Sequence, residues 1–193
     1  NMKKIKKLFT PKLGLAFLNI FLLMFMVFIF GPSEIFFANE THFDFVYGEF
    51  AGYLAIIAII ASFFGAIIFS LFPNMLYKIG MSVILGISLA GYLQVMFLNQ
   101  QLDLLGLNPD GYHVSQARAI SNLCVWLIII LTVVFLSLWK EKIWQGLVKF
   151  VPAFLIAIQT VALASLLFTA DDHAFHYEDW HYYFAGTDQF TVS

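Results

Sequence analysis

The sequence predicts an all-α, polytopic membrane protein with five transmembrane helices, its amino end inside and its carboxyl end outside. Three observations predict this class: the composition, the spacing of the apolar runs and the distribution of basic residues. Of 193 residues, 61% are hydrophobic and 11% are charged, whereas soluble domains average about 45–50% apolar and about 25% charged residues. A soluble fold of this length could not bury so much apolar surface. A nucleic-acid-binding protein and a cytosolic enzyme are therefore excluded, and the expected partner is the lipid bilayer.

Five apolar stretches are each long enough to cross a bilayer. A spanning helix needs about 20 mostly apolar residues, because each residue rises about 1.5 Å and the hydrocarbon is about 30 Å thick. The first stretch is longer than the core of a secretory signal, so we interpret it as a retained anchor. The predicted spans are residues 13–30, 50–72, 79–98, 120–138 and 148–168. We expect a transmembrane domain over residues 1–168 and an extracellular juxtamembrane stalk over residues 169–193.

Basic residues predict the orientation, because lysine and arginine in short connections stay on the cytoplasmic side. On the other side of the predicted membrane, Arg118 stands alone. The lysines gather before the first span and in the connections after the second and fourth, at Lys3, Lys4, Lys6, Lys7, Lys12, Lys78, Lys140, Lys142 and Lys149. The amino terminus is thus expected inside the cell, and the chain after Phe168 outside.

Small residues recur at four-residue spacing on the second and third spans. Such residues lie on one helix face and allow backbones to approach closely, which matters because lipid gives helices no hydrophobic reward for association. The short turn over residues 73–78 predicts that the two spans form an antiparallel hairpin. We interpret the small residues as a packed interface, and the alternative is a substrate groove along the same stripe. They are Ala58, Ser62, Ala66, Ser70, Ser82, Gly86 and Ala90.

Amides are the strongest polar groups inside the predicted spans, at Asn19, Gln94, Asn122 and Gln159. An unpaired amide in hydrocarbon costs several kcal/mol, so we expect these amides to form hydrogen bonds between helices or to lie near a membrane interface. Carboxylates and buried basic residues are missing from the span interiors, which weakens a transporter interpretation. The single cysteine, Cys124, can form no internal disulfide, and we expect it to be a small buried apolar residue.

Arg118 lies just before the fourth span, on the predicted outer side. Its guanidinium could hold a lipid phosphate, and the alternatives are a surface ion pair or an interfacial anchor. Together with Gln94 and Asn122, it makes up the candidate set for a substrate or lipid headgroup. We assign no catalytic residue, because no nucleophile is paired with a base and no glycine-rich phosphate loop is present.

Two polar segments lie on the predicted outer side. The loop over residues 31–49 mixes aromatic and acidic residues and is expected to rest on the membrane interface. The tail over residues 171–181 is rich in histidine and carboxylates, which could bind a divalent metal. Since a polar, aromatic composition is also typical of a juxtamembrane stalk, we assign no metal ligand.

Several strings carry a resemblance to a known family. They are GPSEIFFAN at residues 31–39, YLQVMFLN at 92–99, LDLLG at 102–106, Asp110-Gly111, and YYFAGTDQFTVS at 182–193. These strings resemble bacterial membrane-anchored proteins of the sulfatase fold, of the lipoteichoic acid synthase and phosphoglycerol transferase type. Five spans with an outside carboxyl end are also typical of that family.

The resemblance implies an anchor in the bacterial plasma membrane for a phosphoglycerol or phosphoethanolamine transferase of the cell envelope. Catalysis, with Mn²⁺ or Mg²⁺ and a nucleophilic threonine, would belong to a domain after Ser193, so the 193 residues themselves are expected to be inactive. The resemblance also implies that the chain guides a lipid-linked envelope substrate to that domain. Two alternatives remain open: a stand-alone transporter or flippase subunit, and a non-catalytic scaffold for envelope assembly.

Overall fold

The chain folds as a helical bundle in a computed structural model that describes residues 11–38, 43, 45–98 and 116–170. No strand occurs in these ranges, and five of their helices are long and apolar enough to cross a membrane. The all-α class is thus confirmed, and so is the prediction of five helices with the length and apolar composition that a membrane span needs. The helices are α1 (Pro11–Ala38), α2 (Gly48–Ser70), α3 (Asn74–Leu93, continued by the π-helical segment Gln94–Leu98), α4 (Gln116–Trp139) and α5 (Glu141–Ala170).

Helix α1 runs past the predicted end of the first span, so the loop predicted from residue 31 is wrong as far as Ala38. Between its two α-helical parts lies a π-helical segment, Met26–Phe30. The N–H of Gly31 donates to the carbonyl of Met26, and a Cβ at Gly31 would lie 2.9 Å from that oxygen. Pro32 has no N–H to donate. The wider π-helical turn therefore lets the helix continue through Gly31-Pro32, and glycine is the residue that fits it.

The helices pack around α1 and α3. Helix α2 packs mainly on α1, α4 packs mainly on α3, and α5 lies against α1 with further contacts to α4 and α3. Between them lies an apolar core that includes Leu22, Met81, Leu85 and Val148. Large apolar side chains also cover the outer surfaces of α2, α4 and α5, as expected where the solvent is lipid. Cys124 belongs to that outer surface, so its predicted burial is wrong.

The small residues of α2 and α3 lie in helix contacts, but the two stripes do not face each other. Ala58, Ser62 and Ala66 are buried on α2, whose main neighbour is α1. On α3, a Cβ at Gly86 would lie 2.8 Å from the Cα of Ile130 on α4. Helices α2 and α3 touch only slightly, so the predicted hairpin is not a closely packed pair. Of the remaining small residues, Ser82 and Ala90 are buried and Ser70 is half-buried.

One end of the bundle, which we term the lysine end, brings together Lys12, Lys78 and Lys140 on three separate segments. Lys78 pairs with Glu141 at 2.7 Å, which joins the starts of α3 and α5. The hydroxyl of Tyr77 donates to the carbonyl of Lys12 at 2.9 Å, which joins the starts of α3 and α1. Helices α1, α3 and α5 therefore run in the same direction from this end, and α2 and α4 return to it.

The close approach of α3 and α4 depends on Gly86. Replacing glycine by alanine inside a helix normally stabilises it by up to about 1 kcal/mol. At Gly86, however, the added methyl group would push against the backbone of Ile130, so we expect G86A to destabilise the protein by about 1–3 kcal/mol. The measurement is thermal unfolding of the two proteins in detergent micelles.

The matched control is G52A, since nothing lies within 4 Å of a Cβ built at Gly52. This variant should be neutral or slightly more stable. Equal effects of G86A and G52A would contradict the proposed close contact between α3 and α4.

Candidate functional site

A buried amide on α1 satisfies a backbone carbonyl that proline releases on α5. In an α-helix the N–H of residue 152 would donate to the carbonyl of residue 148, but Pro152 has no N–H. The Asn19 Nδ2 donates instead to the carbonyl of Val148 at 2.8 Å, and it also donates to the carbonyl of Leu15 at 2.8 Å. Asn19 is fully buried, so this bond forms where no water can replace it. We term this contact the Asn19 clamp.

The sequence predicted the donor of the Asn19 clamp but not its acceptor. It predicted that Asn19 bonds to another helix, which the structure confirms. The partner is a backbone carbonyl, and the signal that could have identified it was Pro152 inside the fifth predicted span. A proline at such a position leaves a carbonyl that a neighbouring helix must satisfy.

Gln94 connects the far ends of α3 and α4. The indole N–H of Trp126 donates to the amide oxygen of Gln94. One turn closer to the start of α4 lies Asn122, which is half-buried, and one further turn leads to Arg118. Residues at this spacing share one helix face. Gln94 and Asn122 therefore lie along the α3–α4 edge, and the backbone of Arg118 lies one turn further along it.

The Gly86–Ile130 contact gives the relative depth of these residues. Gln94 and Asn122 both lie about two turns beyond it, so they are at the same level of the bundle. Along α3, Gln94 is about 24 Å from Lys78, at a rise of about 1.5 Å per residue. Since the hydrocarbon is about 30 Å thick, this level lies near its far boundary if the lysine end lies at the near one.

Gln159 on α5 lies close to the same level. The indole N–H of Trp144 donates to the Ser82 hydroxyl at 2.8 Å, which sets the register of α5 against α3. From this pair, Gln94 is about three turns further along α3 and Gln159 about four turns further along α5. We term the level of Gln94, Asn122 and Gln159 the amide layer. The π-helical segment Met26–Phe30 ends in this layer, and the π-helical segment Gln94–Leu98 begins there.

The three amides of this layer have different surroundings. Gln94 is half-buried and accepts the bond from Trp126, whereas Gln159 is fully buried and neither of its amide atoms has a hydrogen-bond partner among the described residues. Asn122 is half-buried on α4. The bond to Trp126 agrees with the prediction that Gln94 bonds across helices. For Gln159 no such bond forms within the ranges that the structure describes.

Aromatic rings fill the end of the bundle opposite the lysine end. Five aromatic rings surround the ring of Phe36, with centroids 5.2–6.2 Å from its centroid: Phe37, Phe43, Phe45, Tyr47 and Phe50. The Tyr47 hydroxyl donates to the carbonyl of Ile29 at 3.0 Å, inside the π-helical segment of α1. Burial raises the pKa of Tyr47, and this keeps the hydroxyl protonated as a donor. The connection between α1 and α2 thus holds the π-helical turn.

Within the described ranges, no three His, Cys, Asp or Glu side chains are grouped so that they could hold a metal ion. The histidine-rich tail lies outside those ranges, as do the stalk from residue 171 and the strings at 102–106, 110–111 and 182–193. No protein-family model, curated protein or solved structure matches the chain. The resemblance to sulfatase-fold transferases therefore stays a prediction.

We expect the N19L variant to lose about 1–3 kcal/mol of stability, because leucine keeps the side-chain bulk but leaves the Val148 carbonyl without a donor. Restoring the missing backbone N–H by P152A should recover most of that loss in the double variant. Thermal unfolding in micelles measures both effects.

The control for these variants is T132V, since Thr132 is exposed and its hydroxyl donates only to a carbonyl of its own helix, at 2.7 Å. Its stability should stay within about 0.5 kcal/mol of the wild type. If N19L costs as much in the P152A background as in the wild type, the Asn19 clamp does not serve the carbonyl released by Pro152.

Proposed function

We propose that this chain is the membrane-anchoring domain of a cell-envelope transferase of the sulfatase superfamily, acting on phosphoglycerol or phosphoethanolamine groups in the bacterial plasma membrane. The observation that best supports an anchor is the chemistry of the interior. Among the described residues, the buried polar side chains are amides and hydroxyls only: Asn19, Ser33, Ser62, Ser82, Ser88, Ser137 and Gln159. Proton-coupled and ion-coupled transporters place charged groups in the interior. The catalytic domain, with its Mn²⁺ or Mg²⁺, would follow Ser193, and a coding sequence that continues into an unrelated domain would count against it.

The proposed orientation places the lysine end in the cytoplasm. Lys12, Lys78 and Lys140 belong to segments that meet at this end, and basic residues of short connections stay on the cytoplasmic side. The aromatic rings around Phe36 then lie at the outer membrane interface, where such side chains are favoured. In this orientation α5 delivers the chain after Ala170 to the outside, where a transferase domain would meet its substrate.

Cysteine labelling tests the orientation. In a variant whose native Cys124 is replaced by serine, we expect K142C to react with a membrane-impermeant maleimide only after the cells are opened. The D188C variant should react in intact cells, because the tail is proposed to lie outside. Reporter fusions at the same two positions provide an independent readout. Labelling of both cysteines from the same side would contradict a single crossing of the membrane by α5.

A lipid headgroup is proposed to bind along the α3–α4 edge. Gln94 and Asn122 lie near the far boundary of the hydrocarbon, and Arg118 lies one turn further out, at the level of lipid phosphates. The guanidinium of arginine matches a phosphate with two parallel hydrogen bonds, and the amides can bond the hydroxyls of a headgroup. A lipid-linked substrate held there would lie at the outer surface, close to the proposed catalytic domain.

Photocrosslinking tests the headgroup site. Phosphatidylglycerol with a photoreactive headgroup should label peptides from the first turns of α4, and R118Q should reduce that labelling about tenfold, because a charge-assisted hydrogen bond contributes about 1.5–3 kcal/mol. N122L should reduce it by a smaller factor. The control K140Q changes an exposed lysine at the opposite end and should leave it unchanged. Equal labelling of wild type and R118Q would contradict the proposed site.

A stand-alone flippase is the second candidate. The buried amide of Gln159, which finds no hydrogen-bond partner in the described part of the chain, favours it, since such a group can serve a polar ligand. Vesicles that contain only this chain would then move a fluorescent phospholipid between leaflets. With an anchor, the fluorescent phospholipid would move between leaflets no faster than it does in protein-free vesicles.

A further inference from the structure

Gln159 is a polar side chain in a place where lipid-embedded proteins rarely leave one unpaired. Its exposed fraction is 0%, and both its amide oxygen and its amide nitrogen have no hydrogen-bond partner among the described residues. An amide without partners in such surroundings costs several kcal/mol. It continues the buried face of α5 that also carries Val148, Pro152 and Leu155. This face is directed towards α1, because Val148 accepts the bond from Asn19.

The register of α1 and α5 places Gln159 beside the π-helical turn of α1. The two helices run in the same direction, and the Asn19 clamp fixes their relative height. About three turns beyond that clamp lie Phe30 on α1 and Gln159 on α5. Helix α5 contacts both Met26–Phe30 and the following segment Gly31–Ala38. Gln159 therefore lies at the height where Pro32 interrupts the backbone hydrogen bonds of α1.

Pro32 deprives one carbonyl of this turn of its donor. The missing N–H would reach Phe28 in an α-helical register or Val27 in a π-helical one. Three other carbonyls of the segment have identified donors. The carbonyl of Met26 accepts from Gly31, that of Ile29 from Tyr47, and that of Phe30 from Ser33.

The same pair of groups thus occurs twice between α1 and α5: a buried amide on one helix, and on the other a carbonyl that a proline leaves without its donor. The roles of the two helices are exchanged between the two places. In the Asn19 clamp, an amide of α1 bonds directly to the carbonyl released by Pro152 of α5. At Gln159, an amide of α5 lies at the height of a carbonyl released by Pro32 of α1, and no direct bond joins them. A bridging group is needed that both donates and accepts, because the amide has one free acceptor and one free donor group.

We propose that Gln159 and the Pro32 turn of α1 form a binding site for one small, neutral, hydroxyl-bearing group. The hydroxyl accepts from the Gln159 amide nitrogen and donates to an α1 carbonyl or to the amide oxygen. A water molecule or an alcohol of a lipid headgroup would supply the same chemistry. A charged group does not fit, because no charged side chain is among the buried residues that the structure describes. The proposal does not depend on whether a transferase domain follows the chain.

The direction in which one substitution changes Tm tests the proposal. Q159M keeps the length of the side chain and removes both polar atoms, so an occupied site predicts a fall in Tm of about 2–6 °C for the full chain in micelles. An empty site predicts the opposite, since removal of an unpaired buried amide relieves its desolvation penalty. A rise or no change in Tm would overturn the proposal. The matched control is Q145M, at an exposed position of the same helix, which should leave Tm unchanged.

A double-mutant cycle tests the role of Pro32. P32A restores the missing backbone N–H, so Q159M should lower Tm by clearly less in the P32A background than in the wild type. Equal losses in both backgrounds would overturn the bridge to α1, because a simple packing role of Gln159 predicts additivity. Q145M should be additive with P32A.

The source of the hydroxyl is identified by lipid composition. Wild type and Q159M are compared in bicelles of phosphatidylcholine, with and without phosphatidylglycerol. A rise in Tm with phosphatidylglycerol in the wild type and not in Q159M supports the site with a headgroup alcohol as its ligand. An equal response of the two proteins, together with the coupling to Pro32, supports the site with water as its ligand.

Discussion

Lipid offers a backbone carbonyl no hydrogen-bonding partner, and each proline inside a spanning helix leaves one carbonyl without its helical donor. Two long helices of this bundle contain such a proline, Pro32 on α1 and Pro152 on α5. At Pro152 the neighbouring helix supplies the donor through Asn19. At Pro32 the backbone changes to a π-helical register, and the side chains of Ser33 and Tyr47 bond two other carbonyls of the turn. At both prolines α1 is therefore bonded to another part of the chain, to α5 through Asn19 and to Tyr47 through the carbonyl of Ile29.

Two polar contacts and one close backbone approach join four helices into one body. Asn19 connects α1 to α5, Trp144 connects α5 to α3, and Gly86 brings α3 against α4. Their directionality matters, because apolar packing in lipid distinguishes poorly between protein and acyl chain as a neighbour. Helix α2 differs, since it rests mainly on α1 through buried small residues. Its position depends on close packing, whereas the other four helices are also held by directed bonds or by a backbone contact that only glycine allows.

The sequence predicted the five spans well, because hydropathy averaged over about 20 residues measures the transfer energy that decides insertion. It predicted lateral packing poorly. A short turn makes two helices neighbours in the chain but does not select the face that packs, and Gly86 meets α4 instead of α2. Burial of Cys124 was expected from its apolar surroundings, yet in a membrane an apolar surface can face lipid. Among the candidate site residues, the bond of Gln94 was predictable as a cross-helix amide, but the identity of Trp126 as its partner depends on register.

The position of the amide layer bears on how a lipid substrate could be handled. Alternating access requires two groups of helices that rock against each other. Here contacts join α1 to α5, α5 to α3 and α3 to α4, so these four helices do not divide into two such groups. Helices joined in this way do not separate easily, whereas a ligand can still bind at the edge of the bundle. Gln94 and Asn122 lie on such an edge. With the lysine end at one hydrocarbon boundary, they lie near the other, where a headgroup can reach an amide without crossing the bilayer. Under the proposed function, substrate guidance is therefore a property of the outer surface, and the interior provides the stiffness that holds this surface in place.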